Sequence, residues 1–153
     1  MNDVMLDTLV DFGAALAHPG RVRILGLLRE ADLYVCQIRT VLGLAPSTVS
    51  VHLAILRRGG LVAEQKQGRF VQYRLTDEEP LGSVVREILH LVKEDRQLTD
   101  DTRLLQAVVG VPLDRLCRAG LDLTAMRIEG RGCQRKRPAP AHEHRVTPAT
   151  RST

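Results

Sequence analysis

The fold of this protein is decided by residues 34–75, which read YVCQIRTVLGLAPSTVSVHLAILRRGGLVAEQKQGRFVQYRL. Apolar side chains recur every three to four residues over 34–42 and 46–58, and this spacing predicts two short helices. The pattern then changes to that of strands over 61–63 and 70–75. Two short helices followed by a β-hairpin predict a winged helix-turn-helix.

Helices are also predicted on both sides of this stretch. Pro19 suits the first turn of a helix upstream. Downstream, Thr76 and Glu79 form a capping-box pattern, which predicts that a helix starts at Thr76 and continues through about residue 97. The predicted fold class is mainly α with a β-hairpin wing and a C-terminal helical extension. The flanking helices are predicted over residues 4–17, 19–30, Thr76 to about 97, 100–109 and 113–119.

Length and composition narrow the class of protein. The chain has 153 residues, 44% of them hydrophobic and none of them Trp, which predicts an aliphatic core. Three widely spaced cysteines argue against a secreted disulfide framework, and the acidic N-terminus does not resemble a signal peptide. No apolar run is long enough to span a membrane, so we expect a cytoplasmic protein with no membrane partner. Three regions are predicted: a winged helix-turn-helix domain over 1–97, a helical extension over 98–133 and a basic, disordered tail over 134–153.

Charge is distributed unevenly along the chain. Residues 39–74 carry six basic side chains and one acid, whereas 77–101 carry eight acids and three bases. The tail, 134–153, has a net charge of +4 and the preceding 133 residues are neutral overall. A basic middle followed by an acidic segment indicates that one face of the protein binds a polyanion and another faces away from it. The alternative is that the fold scatters these charges over the surface.

The second helix of the pair has the face that a DNA-reading helix needs. On a helical wheel Val49, Leu53 and Leu56 fall on the core side, so the opposite face near the N-terminus is small and polar. Such side chains reach base edges and phosphates, and Val51 can contact a thymine methyl group. His52 lies at the border of the core side. A packing contact and a phosphate contact are equally compatible with that position. The predicted DNA-binding residues are Ser47, Thr48, Ser50, Val51, His52, Arg57, Arg58 and Arg69.

Four segments of the chain together resemble one protein family. The segments GAALAHPGRVRILGLL, LYVCQI, STVSVHLAILRRGGLV and GRFVQYRL occur in the order found in the ArsR/SmtB family of bacterial metal-sensing repressors, and the resemblance covers about residues 5–97. It implies a homodimer whose interface is formed by the first helix and the 79–97 helix. It also implies binding to double-stranded operator DNA and release from that operator when an inducer binds. No cofactor is expected to be needed for DNA binding.

Position 51 departs from the family pattern. Many relatives have Arg before the His-Leu pair of the recognition helix, and here Val51 precedes His52. Arg is the commonest protein partner of guanine, so its absence predicts a preference for A·T near that contact.

Substituting Val51→Arg is expected to raise operator affinity and to shift the preferred base pair toward G·C, because a bidentate contact to guanine contributes about 1–3 kcal/mol of discrimination. Binding-site selection from a randomised duplex measures this. An identical consensus for the two proteins would refute it.

The resemblance also implies a ligand set for the inducer. Arsenic-responsive members carry a Cys-Val-Cys sequence in the first helix of the helix-turn-helix; here Cys36 matches the second cysteine and Tyr34 replaces the first. Trivalent arsenic takes three sulfur ligands, and thiolates select such thiophilic ions. The other two cysteines, Cys117 and Cys133, complete a set of three, so we expect arsenite or antimonite as the inducer. The alternative for each cysteine is a small buried side chain.

Other functions stay open at this point. A thiol redox sensor of the same fold needs only two of the cysteines, and a DNA-architectural protein needs none. A zinc site on the last dimer helix has only His90 and Glu94 as an i, i+4 pair, and the tail histidines His142 and His144 are a weak signal for metal. An arsenate reductase is disfavoured because the sequence lacks both a Cys-x5-Arg loop and a Gly-rich phosphate loop, so we predict that the protein is not an enzyme.

Overall fold

The computed structural model describes residues 3–118, and within that range it confirms a mainly helical fold with a β-hairpin wing. Cys133, the tail over 134–153 and the end of the predicted extension lie outside the described residues. The helices are α1 (Asp3–Leu16), α2 (Pro19–Glu30), α3 (Val35–Leu42), α4 (Pro46–Arg58), α5 (Leu81–Leu91), α6 (Arg96–Val109) and α7 (Leu113–Arg118), and the strands are β1 (Leu33–Tyr34), β2 (Val62–Gln67) and β3 (Phe70–Leu75).

The helix-turn-helix is formed by α3 and α4. Gly43 ends α3 in the left-handed conformation, with φ of 65°, which a residue without a side chain adopts at little cost. Pro46 then occupies the first turn of α4, where its missing N–H is not needed. Val49 and Leu56 are fully buried, as the helical wheel predicts.

The wing is larger than the sequence pattern predicts. β2 and β3 pair in antiparallel register from Val62–Leu75 to Gln67–Phe70, whereas the prediction ended the first strand at residue 63. Residues 64–67 are all polar, and their side chains are exposed. They therefore lack the alternation of apolar and polar residues by which the strand could have been recognised. The short β1 adds a third strand on the other side of β3, so the sheet order is β1-β3-β2.

The structure corrects the prediction of one long helix starting at Thr76. Pro80 disfavours helical backbone at the preceding residue, so α5 begins only at Leu81. It ends at Leu91, and Asp95 starts a separate helix because its carboxylate accepts hydrogen bonds from the N–H groups of Gln97 and Leu98.

The C-terminal helices pack onto the winged helix. Leu105 and Val108 of α6 and Leu116 of α7 belong to the same buried apolar cluster as Ile24 of α2 and Ile38 of α3. The division of the chain at residue 97 into a domain and an extension stays a prediction, but residues 98–118 share the core of the preceding helices.

An ion pair between the partly exposed Arg23 and the buried Asp101 joins α2 to α6. Arg23 Nε and Nη2 each donate to a different carboxylate oxygen of Asp101 at 2.7 Å. Asp101 is only 3% exposed, and Gln97 Nε2 also donates to it, at 3.0 Å. Breaking a buried pair costs more than forming it gains, because the remaining charge loses its partner.

Asp101→Asn is therefore expected to lower the free energy of unfolding by about 2 kcal/mol. Denaturant unfolding followed by circular dichroism measures the change. The control is Asp100→Asn, which removes an exposed carboxylate next in sequence and is expected to stay within about 0.5 kcal/mol of wild type. Equal effects of the two substitutions would contradict the structural role of the buried pair.

Across the described residues, no single helix is long and apolar enough to cross a membrane. The helices α3 and α4 pass that test only when taken together, and they meet at a bend of 113°.

Candidate nucleic-acid interface and thiol pair

The outward face of α4 is small, mostly polar and exposed. Ser47, Thr48 and Ser50 are all exposed, and Val51 is 57% exposed although it is apolar. In the major groove an exposed valine can contact thymine methyl groups. The structure thus brings together on one surface the residues that sequence analysis assigned to base reading.

The three arginines predicted to contact DNA are exposed, and each pairs with a carboxylate. Arg57 at the end of α4 pairs with Glu64 on the wing, and Arg58 approaches Asp11 of α1 at 3.3 Å. Arg69 at the hairpin tip pairs with Asp114 of α7. Exposed ion pairs of this kind contribute little to stability, so all three guanidinium groups can exchange a carboxylate for a phosphate.

His52 differs from the other predicted DNA contacts because it is buried. It is 8% exposed and its ring lies 4.6 Å from that of His18, centroid to centroid. A side chain on Gly20 would lie 3.1 Å from His18 and 3.3 Å from His52, so glycine permits this close packing. His52 Nδ1 has no hydrogen-bond partner among the described residues. These contacts favour the packing role that the sequence left open.

Burial lowers the pKa of His52 below its ordinary value of about 6.5, and the nearby His18 and Arg21 lower that pKa further. The unfolded chain therefore binds a proton at a higher pH than the folded chain does. The free energy of unfolding is expected to fall as the pH drops below about 6.5, with a slope of at most about 1.4 kcal/mol per pH unit from this group.

Urea denaturation between pH 5 and pH 8 measures that slope. His52→Gln is expected to flatten it, whereas the control substitution His90→Gln, at an exposed position on α5, is expected to leave it unchanged. A slope that persists in the His52 variant would contradict this assignment.

Two of the three cysteines lie side by side although 81 residues separate them in sequence. Cys36 near the start of α3 and Cys117 near the end of α7 form a disulfide, with Cα atoms 5.3 Å apart. Both residues are only partly buried. Cys133, the third predicted ligand, lies outside the described residues. Among residues 3–118 there is no cluster of three or more His, Cys, Asp or Glu side chains that could hold a metal ion.

Arg39 has a role that the sequence pattern did not indicate, since by charge alone it was placed among the basic residues of the polyanion-binding face. The structure corrects this, because Arg39 is buried and faces α7. Its Nη2 donates to the carbonyl oxygens of Leu116 at 3.1 Å and Cys117 at 3.4 Å. Arg39 lies three residues after Cys36, which places both on the same face of α3. That spacing is the only local signal that links them.

Apolar side chains are also exposed on α1 and α5. Leu9 and Leu91 are 59% and 82% exposed, and their neighbours on the same helices add to the apolar area. Exposed apolar patches of this kind mark contact surfaces. The exposed apolar residues on the two helices are Met5, Leu6, Leu9, Val10, Val84 and Leu91.

Comparison with known proteins identifies the family. A profile described as "Bacterial regulatory protein, arsR family" matches residues 18–64, which contain α2, α3 and α4. The transcriptional regulator CmtR of Mycobacterium tuberculosis is 43% identical over 84 residues, a region that is 53% of this chain and 71% of CmtR. The chain belongs to the arsR family of bacterial regulatory proteins. Its relatives are transcriptional regulators, and the fold is the winged helix-turn-helix of DNA-binding proteins.

Further relatives match over different lengths. The regulator Rv0324 of Mycobacterium tuberculosis is 34% identical over 119 residues, which cover 76% of this chain and 50% of Rv0324. The arsenical resistance operon repressor of Escherichia coli is 42% identical over 66 residues, 42% of this chain and 56% of that repressor. The homodimeric winged helix-turn-helix domain of Mb0332 from Mycobacterium bovis superposes with a TM-score of 0.53 at 31% identity, covering 60% of this chain and 83% of that domain.

Proposed function

We propose that this arsR-family protein is a homodimeric repressor of an arsenic-resistance operon, which leaves its operator when trivalent arsenic or antimony binds cysteine thiolates. The observation that carries the proposal is the juxtaposition of Cys36 and Cys117. One of these two sulfur atoms lies on a helix of the helix-turn-helix itself and the other on the helix packed against it, and sulfur is the ligand that a thiophilic ion prefers.

The DNA-binding part of the proposal is supported by the exposed face of α4 and by three exposed arginines on α4 and the wing. Small hydroxyl side chains and Val51 are suited to base edges, whereas Arg57, Arg58 and Arg69 are suited to phosphates. The family to which the chain belongs consists of regulators with this fold.

The inducer part is supported by the chemistry of the ligands. Reduction of the disulfide leaves two thiols within reach of one ion, and soft thiolates select thiophilic ions. Cys133 supplies a third sulfur for the pyramidal arrangement that trivalent arsenic prefers. The relative from Escherichia coli is named as a repressor of an arsenical resistance operon.

Coupling between inducer and DNA follows from the position of α3. Cys36 lies on the helix that packs against the recognition helix α4. Drawing Cys36 and the C-terminal cysteines around one ion shifts or tilts α3, so inducer and DNA oppose each other's binding reciprocally. A coupling of about 1–3 kcal/mol corresponds to a weakening of about 5- to 150-fold.

A second candidate function, release of DNA by thiol oxidation, is favoured by the disulfide itself. Cys36 and Cys117 suffice for it, and no metalloid is needed. The two functions share one fold and one thiol pair, and they differ in whether Cys133 is required.

The homodimer is supported by the exposed apolar residues of α1 and α5 and by the homodimeric domain of Mb0332. A two-fold dimer presents two recognition helices to two operator half-sites about one helical turn apart.

Binding-site selection with the reduced chain, followed by treatment of the selected complex, tests the proposal. We expect a two-fold symmetric site and release by micromolar arsenite in a buffer that keeps the protein reduced. Release by glutathione disulfide alone would favour the redox function. A complex that ignores both reagents would refute both functions.

A further inference from the structure

The short helix α7 is held on α3 by three independent interactions. The disulfide joins Cys117 to Cys36, Arg39 donates to the carbonyl oxygens of Leu116 and Cys117, and the Leu116 side chain is fully buried in the core. The position of α7 is therefore set by α3, the first helix of the helix-turn-helix.

The same helix also reaches the wing. Asp114, one turn before Cys117, pairs with Arg69 at the hairpin tip. The Arg69 guanidinium carbon also lies 4.9 Å from the centre of the Phe70 ring. While Asp114 pairs with Arg69, the guanidinium group of Arg69 at the wing tip cannot bind a phosphate.

Asp114 differs from the acids that pair with the other two arginines. Glu64 belongs to the wing and Asp11 to α1, so neither is on the segment that carries Cys117. Among residues 3–118, only the carboxylate that pairs with Arg69 lies on the helix that the disulfide joins to α3.

We propose that α7 is an autoinhibitory latch: when Cys36 and Cys117 are joined, α7 holds Asp114 against Arg69 and withholds that arginine from DNA. The inference rests on the proposed function and names the route by which the thiol pair reaches the DNA surface. An exposed ion pair is weak alone. By fixing α7 on α3, the disulfide raises the effective concentration of the Asp114 carboxylate at Arg69.

Formation of the disulfide uses no group of the protein other than the two thiols. Cys36 and Cys117 lose two protons and two electrons as the sulfur–sulfur bond forms. Glutathione disulfide, or another low-molecular-weight disulfide, accepts them and leaves as two thiols.

Operator affinity of the full chain, measured by fluorescence anisotropy in reduced and glutathione-oxidised forms, tests the latch. Peptide mass spectrometry verifies the Cys36–Cys117 bond. We expect oxidation to weaken wild-type binding at least about fivefold, and Asp114→Asn to remove most of that weakening with little change in the reduced form. Arg69→Ala is expected to weaken the reduced form and to leave oxidation little further effect.

The matched control is Glu64→Gln, which frees Arg57 from its carboxylate without touching α7. It is expected to change the affinities of the reduced and oxidised forms by the same factor. Salt dependence adds a second signature. If oxidation withdraws Arg69 from one phosphate, the slope of log affinity against log salt becomes shallower by about 0.9 for each protomer on the DNA.

Two results would contradict the proposed latch without contradicting the proposed repressor function. The first is that oxidation or arsenite releases wild type and Asp114→Asn equally. The second is that oxidation affects Asp114→Asn and Glu64→Gln alike.

If the chain binds no operator, the proposed function is wrong, and hydrogen exchange at Arg69 Nη2, the nitrogen that donates to Asp114, then decides the latch without DNA. Slower exchange in the oxidised wild type than in the reduced protein or in Asp114→Asn supports the latch. Equal rates in all three overturn it.

Discussion

Replacing Cys36 with serine is expected to abolish release of the operator by arsenite while leaving the affinity of the reduced protein for DNA intact. Serine preserves the size of the side chain but supplies no thiolate, so Cys117 loses the sulfur that lies beside it on α3. The arsenite concentration that releases half of the complex is expected to rise at least about 100-fold, the upper range of a typical allosteric coupling. Anisotropy of a labelled operator duplex measures the release.

Variants at the other two cysteines serve as the comparison. Cys117→Ser is expected to match Cys36→Ser against both arsenite and glutathione disulfide. Cys133→Ser is expected to weaken the arsenite response but to leave the response to glutathione disulfide unchanged, because the disulfide joins Cys36 to Cys117. If Cys36→Ser is released at the wild-type arsenite concentration, Cys36 is not an inducer ligand.

The second large effect is expected from Leu9→Glu, a charge placed in the exposed apolar face of α1. It is expected to convert the dimer into a monomer, since a buried charge in an interface without a partner is strongly unfavourable. Loss of the second recognition helix removes the avidity of two half-sites, so operator affinity is expected to fall by about 10²- to 10⁴-fold. Sedimentation velocity and anisotropy measure the two consequences.

Val109→Glu is the matched control for this experiment. Val109 is an exposed apolar residue as well, at 49%, but lies on α6 rather than on α1 or α5. It is expected to leave both the oligomeric state and the operator affinity unchanged. A Leu9→Glu protein that is still a dimer would show that α1 does not form the interface.

Local signals explain why much of the fold could be predicted from the sequence. Both α2 and α4 have the predicted bounds, because Pro19 and Pro46 mark their first turns and the apolar periodicity runs unbroken to their ends. The buried face of α4 followed from the same periodicity. The break between α5 and α6 was missed because residues 93–97 contain no Gly or Pro to mark a helix end, whereas a cap at Asp95 restarts the helix.

The candidate site was predictable only in part. The DNA-reading face of α4 is a property of one helix, so its residues could be named from their spacing. The pairing of Cys36 with Cys117, the hydrogen bonds of Arg39 to α7 and the ion pair of Arg69 with Asp114 join residues 45 to 81 positions apart. No local pattern encodes which distant residues meet, because that depends on how the apolar side chains of α6 and α7 fill the core.

The most direct measurement is fluorescence anisotropy of the reduced protein on its selected operator, titrated with arsenite while free thiols are counted in the same samples. We expect anisotropy to fall at micromolar arsenite as three thiols per protomer become unreactive. A complex that persists while the thiols are consumed would show that arsenite binds without inducing release. A complex that persists with all thiols still reactive would show that this family member does not sense arsenite.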